Sequence, residues 1–531
     1  MTLSVFRAVA VALCAALLAA ACSSATQQAG AAPATLASPA TPVTGPTPGP
    51  GIAWGPCAPP SDQDPALQCA RLPVPLDWNA PQGRQIELAV MRRQASKPAE
   101  RLGSMFVNPG GPGQSGVELV AGGGSDFDRW GGGRFDVVGW DPRGTNDSSP
   151  VECFTSPEEQ ARFWAGVSVP ATDAESQAYA QRTTDLARRC GEVSGELLDH
   201  VSTADTARDL DALRAAVGDP QITYVGLSYG TMIGQTYVNM FPDRVRAVML
   251  DGLIDAVEYT EGAEARTVGD VAHTDEVFAR FRELCQQAGP TGCALARGPE
   301  TVDQRVAALF DRARQGPIPA PTATPRGELT YGDLLVSTFT PLRVPEMWPQ
   351  FATDLDAAAT GDASALETSA QQYQSPEGYR SSVTSSAISC LDGPAQQPVT
   401  AWPTVVPEFA RSSALWGAVN GWWLWGPCAS GWPGRSDDRY AGPWNARTQA
   451  PVLLINNRWD PATGIRNAEA TQQRLGNAVL LVQDGYGHPT YQDPGACVDA
   501  ARERYLVDLV TPPPGTVCQP DRPPFPGITP R

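Results

Sequence analysis

Histidine is scarce in this sequence: His200, His273 and His488 are the only three in 531 residues, and no Cys-x-x-Cys occurs. Metal sites draw on clustered Cys and His, so no metal and no cofactor is expected. An excess of positive charge is also missing. Lys and Arg total 39 against 57 Asp and Glu, a net charge of −18. Such a chain has no electrostatic route to nucleic acid or to anionic lipid, so neither is expected as a partner. No stretch beyond the N-terminus is apolar for long enough to span a bilayer. There is no internal repeat.

The N-terminus is a processing segment rather than fold. One positive side chain, Arg7, precedes an apolar run over 8–21 that is too short for a membrane span. Cys22 follows Ala19-Ala20-Ala21 and precedes Ser23-Ser24, which looks like a bacterial lipobox, although the branched apolar residue usual three places before the cysteine is alanine here. The expectation is lipid attachment at Cys22 of residues 1–22, with ordinary cleavage nearby as the alternative; either way the chain is exported. Residues 23–52 are mostly Ala, Pro, Thr, Gly and Ser without charge, a flexible tether that cannot bury a core. Setting Cys14 and Cys22 aside leaves Cys57, Cys69, Cys153, Cys190, Cys285, Cys293, Cys390, Cys428, Cys497 and Cys518. An even number in an exported chain implies disulfides. Neighbour pairing is the simplest assignment, but the spacing leaves connectivity open.

Apolar runs at 86–93, 104–108, 135–140, 222–227, 245–250, 451–456 and 478–482 read as strands. Helical periodicity falls between several of them, as at 203–217 and 465–475. The fold class expected is α/β, a mostly parallel doubly wound sheet with helices on both faces. The strand near 250 and the next near 451 lie far further apart than a simple crossover requires. A lid domain inserted over 256–446 is therefore expected, splitting the core into 53–255 and 447–531. Its many tryptophans, Trp416, Trp422, Trp423, Trp425, Trp432 and Trp444, are expected mainly to pack its core.

The segment Gly226-Leu227-Ser228-Tyr229-Gly230 stands between an apolar strand and a helix. Gly-x-Ser-x-Gly in that setting is the nucleophile elbow of an α/β-hydrolase. A serine needs a base, and the base an orienting carboxylate, in the chain order Ser, Asp or Glu, His. His488, flanked by Gly487 and Pro489 after a strand, fits the base. Asp460, the one carboxylate in the loop after the preceding strand, fits the acid. Backbone N–H groups must receive the oxyanion. Tyr229 should supply one, and Gly110 or Gly111 the other, from the loop Asn108-Pro109-Gly110-Gly111-Pro112-Gly113. Asp141-Pro142-Arg143-Gly144 is expected to brace that loop.

With these residues in view, the chain resembles the actinobacterial tripeptidyl-aminopeptidase-like α/β-hydrolases, relatives of proline iminopeptidases. Asn108 to Gly113 matches the family's Gly-Gly-Pro-Gly loop, with Asn where iminopeptidases carry His. Asp141 to Gly144, Gly226 to Thr231, Ala387 to Asp392 and Asp460 to Thr463 match further motifs, and Gly464 replaces the proline common next. The resemblance implies a lidded serine hydrolase that releases short peptides from free N-termini. A carboxylesterase using the same triad on short acyl esters is the alternative, and a catalytically dead binding lipoprotein is a third reading. A peptidase of this kind must hold the substrate's ammonium group. Asp392, Glu258 and Asp255 are the carboxylates considered for it.

Overall fold

The computed structural model describes residues 51–165, 170 and 172–528; Cys22, the leader and nearly all of the tether lie outside them. At the end of the tether, Ile52 N–H already donates to the Ala216 carbonyl at 3.1 Å. The strands are β1 (Leu67–Pro75), β2 (Gln85–Arg93), β3 (Gly103–Asn108), β4 (Phe135–Trp140), β5 (Ile222–Leu227), β6 (Val245–Asp251), β7 (Ile318–Ala320), β8 (Gly327–Leu329), β9 (Val452–Trp459), β10 (Ala478–Tyr486) and β11 (Val517–Cys518). Nine form one sheet in the order β1-β2-β4-β3-β5-β6-β9-β10-β11, while β7 and β8 pair separately. β2 runs antiparallel to β1 and β4, and every other pairing in the large sheet is parallel.

The central strands β3, β4 and β5 are buried at every residue. Parallel strands covered on both faces read as continuous apolar runs for this reason. On one face Met105, Val107, Val137, Val225, Met249 and Leu453 meet Phe127 and Trp130 of the Gly116–Trp130 helix and Tyr505 of the Ala496–Asp508 helix. On the other, Phe106, Val138, Tyr224, Val248 and Leu454 meet Leu210 and Leu213 of Thr203–Val217 and Met232 and Ile233 of Tyr229–Met240. Each such large side chain contributes about 1.5–3 kcal/mol on burial. This is the mostly parallel, doubly wound sheet of an α/β-hydrolase.

β6 and β9 are adjacent in the sheet although residues 252–451 separate them, a mainly helical segment that also holds β7 and β8. It packs in two ways. Phe278, Phe281, Phe310, Trp348, Phe351 and Trp416 form a core of their own. Trp402, Phe409, Trp422, Trp425, Trp432 and Trp444 join the core that covers the sheet, alongside Phe163, Trp164 and Tyr179. Most of the tryptophans therefore pack cores, as their composition leads one to expect; Trp423 is half-buried and stacks on Phe339. The ten cysteines pair with their sequence neighbours: Cys57–Cys69, Cys153–Cys190, Cys285–Cys293, Cys390–Cys428 and Cys497–Cys518. No helix among the described residues is long and apolar enough to cross a membrane.

Candidate active site

Ser228 follows β5 directly and opens the Tyr229–Met240 helix, with φ 54° and ψ −124°. A non-glycine residue holds such a conformation only where its surroundings over-determine it. Here Ser228 N–H donates to the Asp251 carbonyl at 2.9 Å, and the Ser228 carbonyl accepts from Thr231 N–H and O–H at 2.8 and 2.6 Å. The flanking glycines are there for space. A Cβ on Gly226 would stand 2.3 Å from the Gly230 oxygen, and one on Gly230 would stand 2.8 Å from the Asn108 oxygen.

Asp460 and His488 come from the loops after β9 and β10, at the same carboxyl rim as Ser228. Asp460 Oδ1 accepts the N–H groups of Ala462 and Thr463, both at 2.8 Å. Its Oδ2 accepts the Thr463 hydroxyl at 3.0 Å and lies 2.8 Å from His488 Nδ1. Thr463 Oγ1 is also 3.0 Å from that nitrogen. The threonine proton is spent on Asp460, so both neighbours of Nδ1 are acceptors toward it. Nδ1 therefore carries the imidazole proton and Nε2 presents its lone pair. The ring rests on the turn after β6, where a Cβ on Gly252 would meet His488 Cε1 at 3.0 Å. The His488 backbone N–H is held by the Arg343 carbonyl of the 252–451 segment at 2.8 Å.

The Asn108–Gly113 loop packs against the elbow. A Cβ on Gly110 would fall 2.7 Å from Ser228 Cβ and 2.8 Å from the Tyr229 nitrogen. Gly110 N–H itself donates to Asn108 Oδ1 at 3.0 Å, so of the two glycine amides only that of Gly111 is left for a ligand. Asn108 Nδ2 is buried without a partner. Asp141 holds the start of the next helix rather than the loop itself, accepting the hydroxyl of its N-cap Ser115 at 2.5 Å. Arg143 is fully buried in a paired bridge to Asp209, its Nη2 2.6 Å from Oδ1.

The three carboxylates considered for an amine sit differently. Asp255 is buried, caps the Ala256–Glu261 helix through Val257 N–H at 2.9 Å and pairs with Arg474. Asp392 is buried and receives both the N–H and the hydroxyl of Thr203, at 2.9 and 2.5 Å; burial pushes its carboxyl up to about 7. Glu258 is half-buried and lies against Gly269, where a Cβ would stand 2.4 Å from its Oε2.

A family model described as TAP-like protein matches residues 414–518, the stretch holding Asp460 and His488. The chain is 32% identical over 483 residues to serine protease Hip1 of Mycobacterium tuberculosis, covering 88% of this chain and 91% of that one. It is 29% identical over 489 residues to a tripeptidyl aminopeptidase of Streptomyces coelicolor, covering 90% and 87%. It is 32% identical over 472 residues to carboxylesterase B of Mycobacterium tuberculosis, covering 85% and 86%. The chain belongs to the TAP-like family of α/β-hydrolases. It is a serine hydrolase of that family.

Several residues that serve the site of this TAP-like hydrolase escape a motif search. Asn456 Oδ1 accepts Leu253 N–H at 2.8 Å while its Nδ2 donates to the Thr463 carbonyl at 3.0 Å, tying the acid loop to the turn after β6. Asn457 Nδ2 donates to the carbonyls of Tyr486 and Gly487, at 2.7 and 3.0 Å, and so holds the histidine loop. Two consecutive asparagines ending an apolar strand were the available signal. Asp251 carries a further link. Its carbonyl holds Ser228, and its carboxylate accepts the Thr490 N–H at 2.9 Å and hydroxyl at 2.6 Å, two residues beyond His488.

Proposed function

We propose that the protein is an exported serine peptidase that removes short peptides from free N-termini. Ser228 Oγ attacks the scissile carbonyl as His488 Nε2 takes its proton, and Asp460 stabilises the imidazolium through Nδ1–H. The amides of Tyr229 and Gly111 receive the developing oxyanion. His488 then protonates the leaving amine, and water hydrolyses the acyl-enzyme by the same steps. The helical segment over 256–446 acts as the lid that decides which substrates reach the serine.

The observation that carries this reading is the Asp460–Thr463–His488 cluster, oriented by Nδ1, on loops at the same strand ends as the strained Ser228. The substrate class is favoured by the likeness to the Streptomyces tripeptidyl aminopeptidase and to Hip1. An incoming ammonium must reach its carboxylate. Of the three considered, Glu258 alone is not fully buried, and we assign the amine to it. Five disulfides favour an oxidising compartment. We assign membrane attachment to a lipid on Cys22, which Cys22→Ala should abolish, releasing the protein.

Ser228→Ala should cut turnover by about 10⁴-fold or more and remove labelling by a fluorophosphonate. Full peptidase activity in that variant would overturn the reading. The second reading, a carboxylesterase with the same triad, is favoured by the likeness to carboxylesterase B. Turnover of free-amine and N-blocked peptide anilides and of short acyl esters separates the two. Esters far ahead, with no loss on N-blocking, would favour the esterase.

A further inference from the structure

The Pro376–Asp392 helix touches both sides of the oxyanion site. At mid-helix it presses on the glycine loop: a Cβ on Gly113 would stand 3.1 Å from the Ser381 oxygen and 3.2 Å from Thr384 Cβ. At its last residue it reaches the elbow through two hydroxyls. Asp392 Oδ1 accepts Thr203 N–H at 2.9 Å and Oδ2 accepts the Thr203 hydroxyl at 2.5 Å. A threonine hydroxyl has one proton, and toward the ionised Asp392 this one is spent on the carboxylate. The 2.5 Å contact between Thr203 Oγ1 and the Tyr229 phenol then runs from tyrosine to threonine. With Asp392 ionised the chain runs from the Tyr229 hydroxyl to the Thr203 hydroxyl to the Asp392 carboxylate.

Tyr229 is the residue whose amide adjoins the nucleophile, and its side chain is buried. Pinning the phenol fixes the first residue of the helix and adds a clamp to the strained Ser228 beside it. Each Asp392 oxygen already accepts a hydrogen bond from Thr203, and the residue is 3% exposed. That burial leaves no open face for a substrate amine.

We propose that Asp392 is a positioning residue for the oxyanion hole, holding Tyr229 through Thr203 rather than binding the substrate's amino group. The inference rests on the Ser228 reading above and deepens it. Removing an oxyanion donor outright costs about 10²–10³ in kcat, so loosening one should cost about tenfold.

The test compares the wild-type enzyme with Asp392→Asn, Tyr229→Phe and the double variant on a free-amine peptide anilide, its N-blocked form and a short acyl ester. Turnover of Ser228→Ala is measured alongside. We expect kcat to fall about tenfold on every substrate in both single variants, with KM unchanged, and the double variant to be no worse than either. Thr203→Val should behave likewise and Thr203→Ser should restore activity. A rise in KM confined to the free-amine substrate in Asp392→Asn would overturn the proposal, because Asp392 would then be the amine site. Wild-type kcat in Tyr229→Phe would also overturn it, and that variant keeps the fold's apolar packing should Asp392→Asn fail to fold. An active Ser228→Ala would instead sink the underlying triad reading.

Discussion

The ring of His273 fills the space that a side chain at residue 464 would take: a Cβ on Gly464 would fall 2.1 Å from His273 Nδ1. This accounts for the one departure at the end of the Asp-Pro-x-Thr motif. The Gly464 backbone, at φ −60°, would suit a proline. The obstacle is the buried imidazole brought in by the Ala263–Gly292 helix, whose Thr274 also donates to the Pro461 carbonyl at 2.8 Å. Gly464→Ala should therefore destabilise by about 1–3 kcal/mol, as overpacking does. Adding His273→Ala should recover most of the loss. Thermal melting of the two variants checks this, and an unchanged Tm for Gly464→Ala alone would refute it.

Thr463 touches both members of the acid–base pair, donating to Asp460 Oδ2 and sharing the proton of His488 Nδ1. Thr463→Val keeps the shape and removes the hydroxyl. A hydrogen bond to a charged group is worth about 1.5–3 kcal/mol, so kcat should fall roughly tenfold to a hundredfold. KM should hardly move, and Thr463→Ser should retain most of the activity. Steady-state kinetics on one peptide substrate decides it; a Thr463→Val enzyme with wild-type kcat would show that the imidazole needs no third partner.

Arg502 and Asp251 form a buried pair, with Nη2 to Oδ2 at 2.8 Å and both side chains essentially inaccessible. The guanidinium also lies 4.0 Å from the Trp130 ring. Removing one partner leaves the other charge buried, at a cost of about 3–5 kcal/mol. Arg502→Met should thus be strongly destabilised, and Asp251→Asn with Arg502→Met less so than Arg502→Met alone. Because Arg502 and the Asp251 carboxylate both hold Thr490, activity should fall in both. Chemical denaturation measures the stabilities, and strict additivity of the two changes would count against the pair.

What could be read in advance followed from local pattern. β4 and β5 coincide to the residue with their apolar runs, and His488 stood out because histidine is rare. β1 is not legible as a strand, because Pro73 and Pro75 lie within it; they are tolerated because β1 is the sheet's edge. The Gly116–Trp130 helix contains Gly122, Gly123 and Gly124, and tertiary packing by Val120, Phe127 and Trp130 overrides the poor propensity. The site divides the same way. Asp460 follows from its loop, whereas the partners of Asp251, Asp392 and Gly464 lie in segments brought together only by the fold.

Asp493 gives a pH dependence of defined sign. It is buried, and desolvation pushes its carboxyl from 3.8 up to about 7 despite the Tyr486 N–H that Oδ2 accepts at 2.9 Å. Its neutral form suits the fold. The stability it contributes is complete below about pH 4, the unfolded value, and is lost as pH rises through 7. Asp493→Asn keeps an acceptor for Tyr486 N–H and cannot ionise. The variant should therefore gain on the wild type as pH is raised from 4 to 7, by an amount on the order of a few kcal/mol, and the gap should level off above 8. Melting temperatures of both proteins across that range test the sign directly. A constant gap, or one that moves in favour of the wild type, would mean that Asp493 is ionised in the fold throughout.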